Sequence, residues 1–341
     1  MCWTGSERGN VTSTTATSPA AREFEQRTDP FRRELLAHCY RMLGSVHDAE
    51  DLVQDTMVRA WRAFDRYDEE RASLRTWLYR IATNACLTAL QSRQRRPLPS
   101  GLGAPYDDTG APLVRGLDIP WLQPFPDVVS MADPRDPATV VTQRGTLRLA
   151  FVAAMQLLSA RQRAVLILRD VLDWSAAEVA DVLDTTPVAV NSLLQRARAR
   201  MDDVRAQEDE IDAPAEMACR VLVEQYVRAF EGADIDALTQ LLTDDVVMEM
   251  PPILNWFRGR SDYGKFIARS YSMRGFDWRM IPVSANGQPA CAAYTRATDG
   301  MYRLHTLQVF TVTPAGITRN TVFQDEAVFA IFALPPTLAD R

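Results

Sequence analysis

Residues 174–201, WSAAEVADVLDTTPVAVNSLLQRARARM, constrain the fold of this chain more than any other stretch. Ser175 and Glu178 have the S-x-x-E spacing of a capping box, which predicts the start of a short helix. A tight turn follows, and Thr186 before Pro187 is typical of a second helix start. Threonine caps well, and the missing N–H of proline costs nothing at the first helical position. The stretch therefore predicts two helices joined by a tight turn.

The second of these helices has an apolar face and a polar face. Its apolar residues recur at helical spacing: Val190, Leu193 or Leu194, Ala197 and Met201. Its other face carries Ala189, Asn191, Ser192, Gln195 and Arg196. Residues 187–201 contain three arginines and no acidic residue. This pattern favours a helix-turn-helix that enters the major groove of DNA. An ordinary α-hairpin with a solvated arginine-rich face is the alternative.

An earlier helix, HDAEDLVQDTMVRAW (47–61), is acidic on its outward side. Its apolar residues follow a 3.6-residue period, so one face packs against a domain. Asp48 is predicted to cap the helix, and Asp51 lies in the first turn, where the helix dipole favours anions. Neither effect explains Gln54 and Asp55, which lie further in. DNA would repel this acid, so the face is predicted to bind a protein.

The next segment inverts the charge. From Arg71 to Arg96 there are six arginines and no acidic residue, with Trp77 and Tyr79 interleaved. Arginines beside aromatic rings suit a single nucleic-acid strand whose bases stack. A core helix with solvated arginines is the alternative.

Composition narrows the classes of protein that this chain can represent. The 341 residues leave room for two or three domains, and a net charge of −6 argues against wholesale coating of nucleic acid. Five scattered cysteines without a CxxC pair and three dispersed histidines argue against a disulfide framework and a metal cluster. The polar N-terminus has no apolar signal segment, and no run approaches a membrane span. We therefore expect a cytoplasmic protein without a cofactor or a membrane contact.

Changes in amino-acid composition and in the hydrophobic pattern divide the chain into segments. The predicted connecting segments are a disordered tail at 1–28, a linker at 98–140, an acidic hinge at 204–213 and a tail at 336–341. An apolar island at 119–125 predicts that the linker docks on a domain. Residues 214–335 predict helices followed by a strand meander with turns such as Asn286-Gly287, which is an α+β domain.

The two helical blocks together resemble one family. Residues 29–97, with FRRELLAHCYRMLGSVHDAEDLVQDTMVRAWRAFDRY and SLRTWLYRIATNACL, look like region 2 of an extracytoplasmic-function sigma factor of the sigma-70 family. Residues 141–203, with LLSARQRAVLILRDVLDWSAAEVADVL and VNSLLQRARARM, look like its helix-turn-helix region 4. The resemblance implies two all-α domains in a factor that is not an enzyme and brings core RNA polymerase to −10/−35 promoters.

The resemblance also implies roles for individual residues. The acidic helix would dock on the β′ clamp helices of the polymerase through Asp51, Gln54 and Asp55, and region 4 would contact the β flap. The residues implied for the −10 element are Phe64, Tyr67, Arg71, Arg75, Trp77, Arg80 and Asn84. The residues implied for the −35 element are Thr186, Pro187, Ala189, Asn191, Ser192, Gln195 and Arg196.

The C-terminal block resembles the SnoaL-like domains of the nuclear-transport-factor-2-like superfold. MPPILNWFRGRSDYGKFI (250–267) and TRNTVFQDEAVFAIFALP (318–335) carry this resemblance. It implies a cone-shaped α+β domain with an apolar pocket for a small ligand. The candidate lining residues are Tyr226, Met248, Met250, Trp256, Phe257, Tyr263, Tyr271 and His305.

His305 is the one pocket residue with a choice of roles. It shares strand parity with Leu307 and Val309, which predicts an inward side chain near Asp325 and Arg296. Some relatives of the superfold use an Asp or His as an acid/base in the pocket. A structural histidine and a catalytic one are both compatible with the sequence.

We therefore hypothesise a sigma factor whose C-terminal domain modulates its activity in cis, by packing on the sigma domains or by sensing a ligand. One alternative is a stand-alone helix-turn-helix transcription regulator. Another is a DNA-tethered enzyme similar to a polyketide cyclase. The outward Gln54 and Asp55 favour the sigma factor, because a stand-alone regulator has no use for them.

Overall fold

The structure is a computed structural model that describes residues 18–92, 95–127, 146–209 and 216–339. Two helical blocks come first and a sheet-containing domain follows, as the sequence predicts. The first helical block contains Pro19–Thr28 (α1), Arg32–Leu43 (α2), Val46–Ala63 (α3) and Leu74–Ser92 (α4). The second helical block contains Leu149–Met155 (α5), Ala160–Leu166 (α6), Ala176–Leu183 (α7) and Pro187–Asp209 (α8).

The C-terminal domain is a curved sheet with helices packed against it. Its helices are Glu216–Glu231 (α9), Ile235–Gln240 (α10), Arg260–Arg274 (α11) and Glu326–Ile331 (α12). Its strands are Leu242–Glu249 (β1), Trp256–Arg258 (β2), Trp278–Ala285 (β3), Gln288–Arg296 (β4), Tyr302–Thr313 (β5), Gly316–Phe323 (β6) and Thr337–Leu338 (β7). The strand order is β2-β1-β6-β5-β4-β3, with β1 parallel to β6 and β7 paired to β5. Residues 337–338 therefore belong to the sheet, so the predicted tail at 336–341 is wrong there.

The start of the chain is more ordered than its composition suggests. The predicted disordered tail at 1–28 is wrong for residues 18–28, which enter and form α1, whereas residues 1–17 lie outside the described residues. Phe24 of α1 is only 5% exposed, with its ring 5.3 Å from Trp61 and 5.1 Å from Phe64. Burial of this ring against the first helical block offsets the ordering cost of the helix.

The turn between α2 and α3 brings the linker close. Gly44 ends α2 with φ 69°, and a Cβ built on it would lie 2.7 Å from Leu122 Cδ1, so glycine serves both the turn and the close approach. The hydroxyl of Ser45 accepts from the Asp48 N–H at 3.2 Å and caps α3. The predicted cap at Asp48 is thus one turn misplaced. The Asp48 carboxylate instead accepts from Arg96 at 2.6 Å.

The second helical block has the predicted helix-turn-helix. Ser175 and Glu178 form both bonds of the capping box, and Asp184 ends α7 in the left-handed conformation with φ 50°. The Thr186 hydroxyl accepts from the Ala189 N–H at 3.2 Å and caps α8. Helix α8 continues to Asp209, so the predicted hinge at 204–213 is helical over 204–209, and residues 210–215 lie outside the described residues.

One apolar cluster joins the two helical blocks and the convex face of the sheet. The Tyr79 ring of α4 meets the Trp174 ring edge-on at 5.5 Å. Leu307 and Phe323 of the sheet belong to the same buried cluster. A second cluster fills the concave side of the sheet beneath α9, α10 and α11.

The linker docks, as its apolar island predicts. We call residues 97–122 the linker loop. Its two ends meet, because the Leu122 N–H donates to the Pro97 carbonyl at 3.1 Å and Arg96 donates to the Trp121 carbonyl at 3.1 Å. Between these ends the loop wraps the edge strand β2 of the C-terminal domain. Of the predicted linker, residues 128–140 lie outside the described residues.

Candidate functional site

The outward face of α3 carries the three residues predicted to bind the polymerase. Asp51 and Gln54 are exposed, and Asp55 is partly exposed with its Oδ2 2.8 Å from the Arg59 guanidinium one turn later. Such a surface pair contributes only about 0.3–0.5 kcal/mol, so Asp55 exchanges Arg59 for another cation at little cost. Val58, 41% exposed, adds apolar surface to this face. The outward orientation is confirmed, and the polymerase contact stays a prediction.

Aromatic rings assemble at the end of α3, where the sequence places capture of the −10 element. The rings of Phe64 and Tyr67 stack at 6.3 Å with an interplanar angle of 10°, and Trp77 of α4 lies 5.0 Å from Tyr67. The Tyr67 hydroxyl donates to the Ala72 carbonyl at 3.0 Å, which holds the loop over the rings. We call Phe64, Tyr67 and Trp77 the aromatic shelf. Stacked rings of this kind are suited to a base.

The chain partly covers this shelf with its own α1. Sequence reasoning missed Arg27, whose guanidinium carbon lies 5.6 Å from the centre of the Phe64 ring and 5.9 Å from that of Tyr67. Arg27 also approaches Glu69 at 3.5 Å. A prediction of disorder for the first 28 residues removed it from consideration.

The remaining −10 candidates fall into two groups. Arg71, Arg80 and Asn84 are exposed, and the last two lie one turn apart on α4. Arg75 is not displayed in the same way. Its Nε donates to Glu34 Oε2 at 2.9 Å, and its guanidinium lies 5.0 Å above the Tyr79 ring. The structure therefore uses Arg75 to join α4 to α2, and a contact with DNA requires Arg75 to leave Glu34.

Helix α8 displays most of the predicted −35 residues. The exposed ones are Thr186, Pro187, Asn191, Gln195 and Arg196, while Ala189 and Ser192 are partly buried. The opposite face buries Val190, Leu194, Ala197 and Met201, which settles the choice between Leu193 and Leu194. The Arg198 guanidinium donates to the Asp170 carboxylate at 2.7 Å, which ties α8 to the segment before α7.

Val188 is a residue of this helix that sequence reasoning missed. It is 76% exposed in the first turn of α8, although it is a large apolar side chain. Val188 belongs to neither the predicted apolar face nor the predicted polar face of the helix. The helical period held the missing signal, because position 188 lies opposite the Val190 and Ala197 stripe.

The concave side of the C-terminal domain contains a buried polar cluster. The hydroxyls of Tyr226 and Tyr263 are 2.7 Å apart, and Asn320 Nδ2 donates to the Tyr263 hydroxyl at 2.7 Å and to Gln308 Oε1 at 3.0 Å. Burial raises the pKa of Tyr263 to about 12, so this phenol is neutral at physiological pH. Asn320 Oδ1 is buried and has no hydrogen-bond partner among the described residues.

The apolar lining of this interior differs from the prediction at one residue. Met248, Met250 and Phe257 belong to the buried cluster of the concave side. Trp256 does not, because neighbouring residues of a strand point to opposite faces. Its indole donates to the Gly103 carbonyl at 3.1 Å, so Trp256 holds the linker loop.

His305 also departs from its predicted neighbours. The pairing of β4 with β5 shifts register between Ala293 and Tyr294, which leaves His305 in a bulge and breaks its parity with Leu307. Its ring lies 5.6 Å from Trp278 on the concave side, and Asp325 instead caps α12. Burial, with a smaller contribution from Arg274, lowers the pKa of His305 to about 4. A histidine that is neutral throughout the physiological range is a weak general acid.

A single asparagine of the C-terminal domain meets both helical blocks. Asn286, fully buried at the β3–β4 turn, donates through Nδ2 to the Tyr40 hydroxyl at 2.8 Å and to the Leu147 carbonyl at 2.6 Å. Its Oδ1 accepts from the Phe125 N–H at 2.8 Å, and its N–H donates to the Phe125 carbonyl at 2.8 Å. Tyr40 is in α2, Phe125 in the linker and Leu147 immediately before α5. We call these four residues the junction.

The linker loop is the second attachment of the C-terminal domain. The Tyr106 N–H donates to the Trp256 carbonyl at 2.9 Å, and the Leu254 N–H donates to the Val114 carbonyl at 2.8 Å. Asn255 accepts from the Val114 N–H at 2.7 Å. Backbone bonds of this type resemble the addition of a strand to a sheet edge.

Neither a metal cluster nor a membrane helix is found in the part of the chain that the structure describes. No group of three or more His, Cys, Asp or Glu there is arranged to hold a metal ion. None of the helices built from those residues is long and apolar enough to cross a bilayer.

Three family models match this chain in the order of its domains. Sigma-70 region 2 matches residues 29–96, Sigma-70, region 4 matches residues 148–201, and the SnoaL-like domain matches residues 223–320. The matches cover the first helical block, the second helical block and most of the C-terminal domain.

Two sigma factors are similar to most of this chain. The ECF RNA polymerase sigma factor SigG of Mycobacterium tuberculosis is 49% identical over 320 residues, which cover 93% of this chain and 85% of that protein. The ECF RNA polymerase sigma factor SigJ of the same organism is 31% identical over 252 residues, 72% of this chain and 71% of that protein. The crystal structure of SigJ covers 92% of this chain and 99% of its own with a TM-score of 0.61 at 23% identity, a likeness of fold.

Proposed function

Because this chain belongs to the extracytoplasmic-function sigma factors of RNA polymerase, we propose which of its surfaces carries each part of promoter recognition. As a sigma factor it directs core polymerase to −10/−35 promoters and initiates transcription. The outward face of α3 binds the β′ clamp helices, and region 4 (148–201) binds the β flap. The aromatic shelf and α4 take the −10 strand, and α8 reads the −35 duplex.

The polymerase contact rests on one observation, an acid displayed in the middle of α3. Asp55 lies beside exposed Gln54 and Val58, and its ion-pair partner among the described residues is Arg59 on the same helix. Phosphates would repel this carboxylate, and a basic protein surface would attract it. A stand-alone regulator gives this face no partner.

Charge reversal tests that contact. Asp55→Arg is expected to abolish co-purification with core polymerase, because it places a cation in the centre of the interface. Glu50→Arg is the matched control, since Glu50 is exposed on the same helix near its start. Retention of polymerase by Asp55→Arg would contradict the contact at this face, and its loss from both variants would show an effect that is not specific to Asp55.

We also propose that the C-terminal domain modulates initiation in cis by holding regions 2 and 4 together. The −10 and −35 elements are separated by about 25 base pairs, or about 85 Å of duplex. Domains of this size have a radius of gyration of roughly 10 Å, so two domains in contact do not span that distance. Tyr79 touches Trp174 across the regions, and Arg163 of region 4 donates to the Met42 carbonyl of region 2. The initiating form therefore has to separate them.

The junction supports a role of the C-terminal domain in this separation. The carboxamide of Asn286 donates to the Tyr40 hydroxyl in α2 of region 2 and to the Leu147 carbonyl just before region 4. A buried amide that satisfies three partners holds a fixed geometry, because each partner left unsatisfied costs about 1–3 kcal/mol. The C-terminal domain is thus an inhibitor of opening in the free chain.

Asn286→Ala tests the inhibition. Without its carboxamide the closed arrangement weakens, so dyes on region 2 and region 4 move apart in energy-transfer measurements and transcription with core polymerase rises several-fold. Asn255→Ala is the matched control, because Asn255 is also buried but bonds only the linker loop. Unchanged dye distances would contradict the coupling. Separated dyes with reduced transcription would contradict inhibition.

We propose that a small ligand binds in the concave interior of the C-terminal domain and thereby influences its modulation of initiation. Support comes from Asn320, a fully buried carboxamide beside Tyr226, Tyr263 and apolar side chains, whose Oδ1 lacks a hydrogen-bond partner in the described part of the chain. An interior of this chemistry suits a mainly apolar molecule with one hydrogen-bonding group. Native mass spectrometry of the purified chain is expected to show a bound mass that Asn320→Leu loses. If both proteins showed only the mass of the bare chain, the proposed ligand site would be contradicted.

A further inference from the structure

The outward stripe of α8 begins with an apolar residue. Val188, Ser192 and Gln195 lie four and then three residues apart, so they form one line along the helix, with Asn191 at its edge. This line is opposite the buried Val190, Leu194, Ala197 and Met201 stripe. Val188 therefore occupies the part of the first turn that projects furthest from the body of region 4.

The first turn of α8 offers little else to a base edge. The Thr186 hydroxyl accepts from the Ala189 N–H at 3.2 Å and is engaged in the cap. Pro187, at the first helical position, has no N–H to donate. The exposed surface of Pro187 and Val188 is apolar, whereas hydrogen-bonding groups begin one turn later at Asn191.

We propose that Val188 determines promoter specificity by packing on the 5-methyl group of a thymine in the −35 element. A recognition helix places its N-terminal residues on base edges in the major groove. There the thymine methyl is the apolar group that distinguishes thymine, and an aliphatic side chain is its complement. The inference rests on the proposed reading of the −35 duplex by α8.

The rest of the stripe extends the proposal to neighbouring base pairs. From Val188 to Gln195 the helix rises about 10.5 Å, which matches about three base pairs. Asn and Gln side chains pair with the N6 and N7 edge of adenine. Val188, Asn191 and Gln195 together therefore select a short run of A·T pairs, with thymine at the position of the valine.

Thymine-to-uracil replacement tests the methyl contact directly. Full-length protein is assembled with core polymerase, and promoters are first selected from a library randomised across the −35 element. Each thymine of the selected element is then replaced by deoxyuridine, which removes one methyl group and keeps the base pairing. Val188→Ala removes the protein side of the same contact. Val221→Ala, an exposed valine of α9 in the C-terminal domain, is the control.

The expected result is a double-mutant cycle in which the protein change and the DNA change are coupled. Deoxyuridine at one position weakens wild-type promoter binding about fourfold, the effect of one buried methyl group. Val188→Ala weakens binding to the thymine promoter by a similar factor and no longer responds to deoxyuridine at that position. Val221→Ala behaves as wild type. Matching circular dichroism and melting temperatures show that the variants are folded.

Two outcomes overturn the proposal and separate it from the proposed function. Specific initiation by wild type that tolerates deoxyuridine at every −35 position overturns the role of Val188 alone. Equal sensitivity of wild type and Val188→Ala to deoxyuridine does the same, because the losses would then be additive. Absence of any sequence preference at the randomised element overturns −35 reading by α8 itself.

Discussion

The two surfaces that we propose read DNA are in different states in the free chain. On α8, Asn191, Gln195 and Arg196 are exposed and the helix is braced from behind by Asp170 and Arg198. On region 2 (29–96), by contrast, Arg75 and the aromatic shelf already have partners within the chain. Region 4 thus presents a preset surface, which suits rigid duplex DNA.

Region 2 is prepared differently. Arg75 is bonded to Glu34, and the aromatic shelf is covered on one side by Phe24 and Arg27 of α1. A base or phosphate that binds here replaces a contact of similar chemistry. If this surface takes the −10 strand as proposed, we expect capture of a flipped base to proceed by exchange of partners, which spares the shelf from exposure to water in the free chain.

The largest effect is expected from a substitution that removes the contact of α1 with region 2. Phe24→Ala removes a ring that is 5% exposed and is expected to lower the free energy of unfolding of region 2 by about 3 kcal/mol. Hydrogen exchange should quicken in α1 and around Phe64, while α8 keeps its protection. Phe276→Ala, at a ring that is 65% exposed, should change neither. Equal loss of protection in α8 would contradict separate states for the two surfaces.

Acid is expected to separate the two regions next. Burial, followed by smaller effects of Arg41 and Arg75, lowers the pKa of His38 to about 3. The unfolded chain, with a histidine pKa of about 6.5, then binds the proton more tightly than the folded chain. Stability is therefore complete above pH 6.5 and is lost progressively towards pH 3, by about 2 kcal/mol between pH 7 and pH 5.

The position of His38 directs this loss to region 2. Its Nε2 lies 3.0 Å from the Thr83 hydroxyl of α4, so protonation disturbs the packing of α2 on α4. Urea unfolding and hydrogen exchange at pH 7 and pH 5 measure the loss, which should appear in α4 before α8. His38→Gln should flatten the pH dependence, and His305→Gln serves to subtract the contribution of the C-terminal domain. An unchanged slope in His38→Gln would contradict the assignment.

A substitution on α8 is expected to have a smaller effect, and it tests whether the surface of this helix is preset. Gln195→Ala is expected to reduce discrimination between −35 sequences by about 1.5 kcal/mol and to leave the free energy of unfolding unchanged, because the side chain is exposed. Binding of polymerase holoenzyme to matched and mismatched promoters measures the first quantity, and urea unfolding the second. A loss of stability instead of discrimination would show that α8 is not preset.

The smallest effect concerns the exchange of partners by Arg75. Glu34→Gln weakens the bond to Arg75 and is expected to cost about 1 kcal/mol of stability, as for a half-exposed ion pair. The released guanidinium should add about one phosphate contact, which steepens the salt dependence of promoter binding by about one. Glu69→Gln, which weakens the exposed pair with Arg27, is the matched control. An unchanged salt slope would contradict recruitment of Arg75 to DNA.

The helix-turn-helix was predictable because its signals are local. The capping box at Ser175, the cap at Thr186 and the apolar period of α8 each depend on residues a few positions apart. The outward acids of α3 were predictable for the same reason. The cap at Asp48 was misplaced because Ser45, three residues earlier, competes for the same role.

Three further misses depend on distant parts of the chain. Helix α1 forms because Phe24 finds Trp61 and Phe64, which its own sequence does not reveal. His305 changes face because β4 and β5 slip by one residue, a property of the strand pair and not of either strand. The junction at Asn286 reads in sequence as an ordinary Asn-Gly hairpin turn.

The linker loop has a consequence for the order in which the protein is made. The loop ends at residue 122, whereas the β2 segment that it wraps is completed at Arg258. At ribosomal rates of about 5–20 residues per second, the intervening stretch takes on the order of ten seconds to synthesise. Region 2 is already complete when that interval begins, and region 4 is completed within it, at residue 201, before the domain that holds the two together. Each newly translated copy thus passes through an unrestrained stage once in its life.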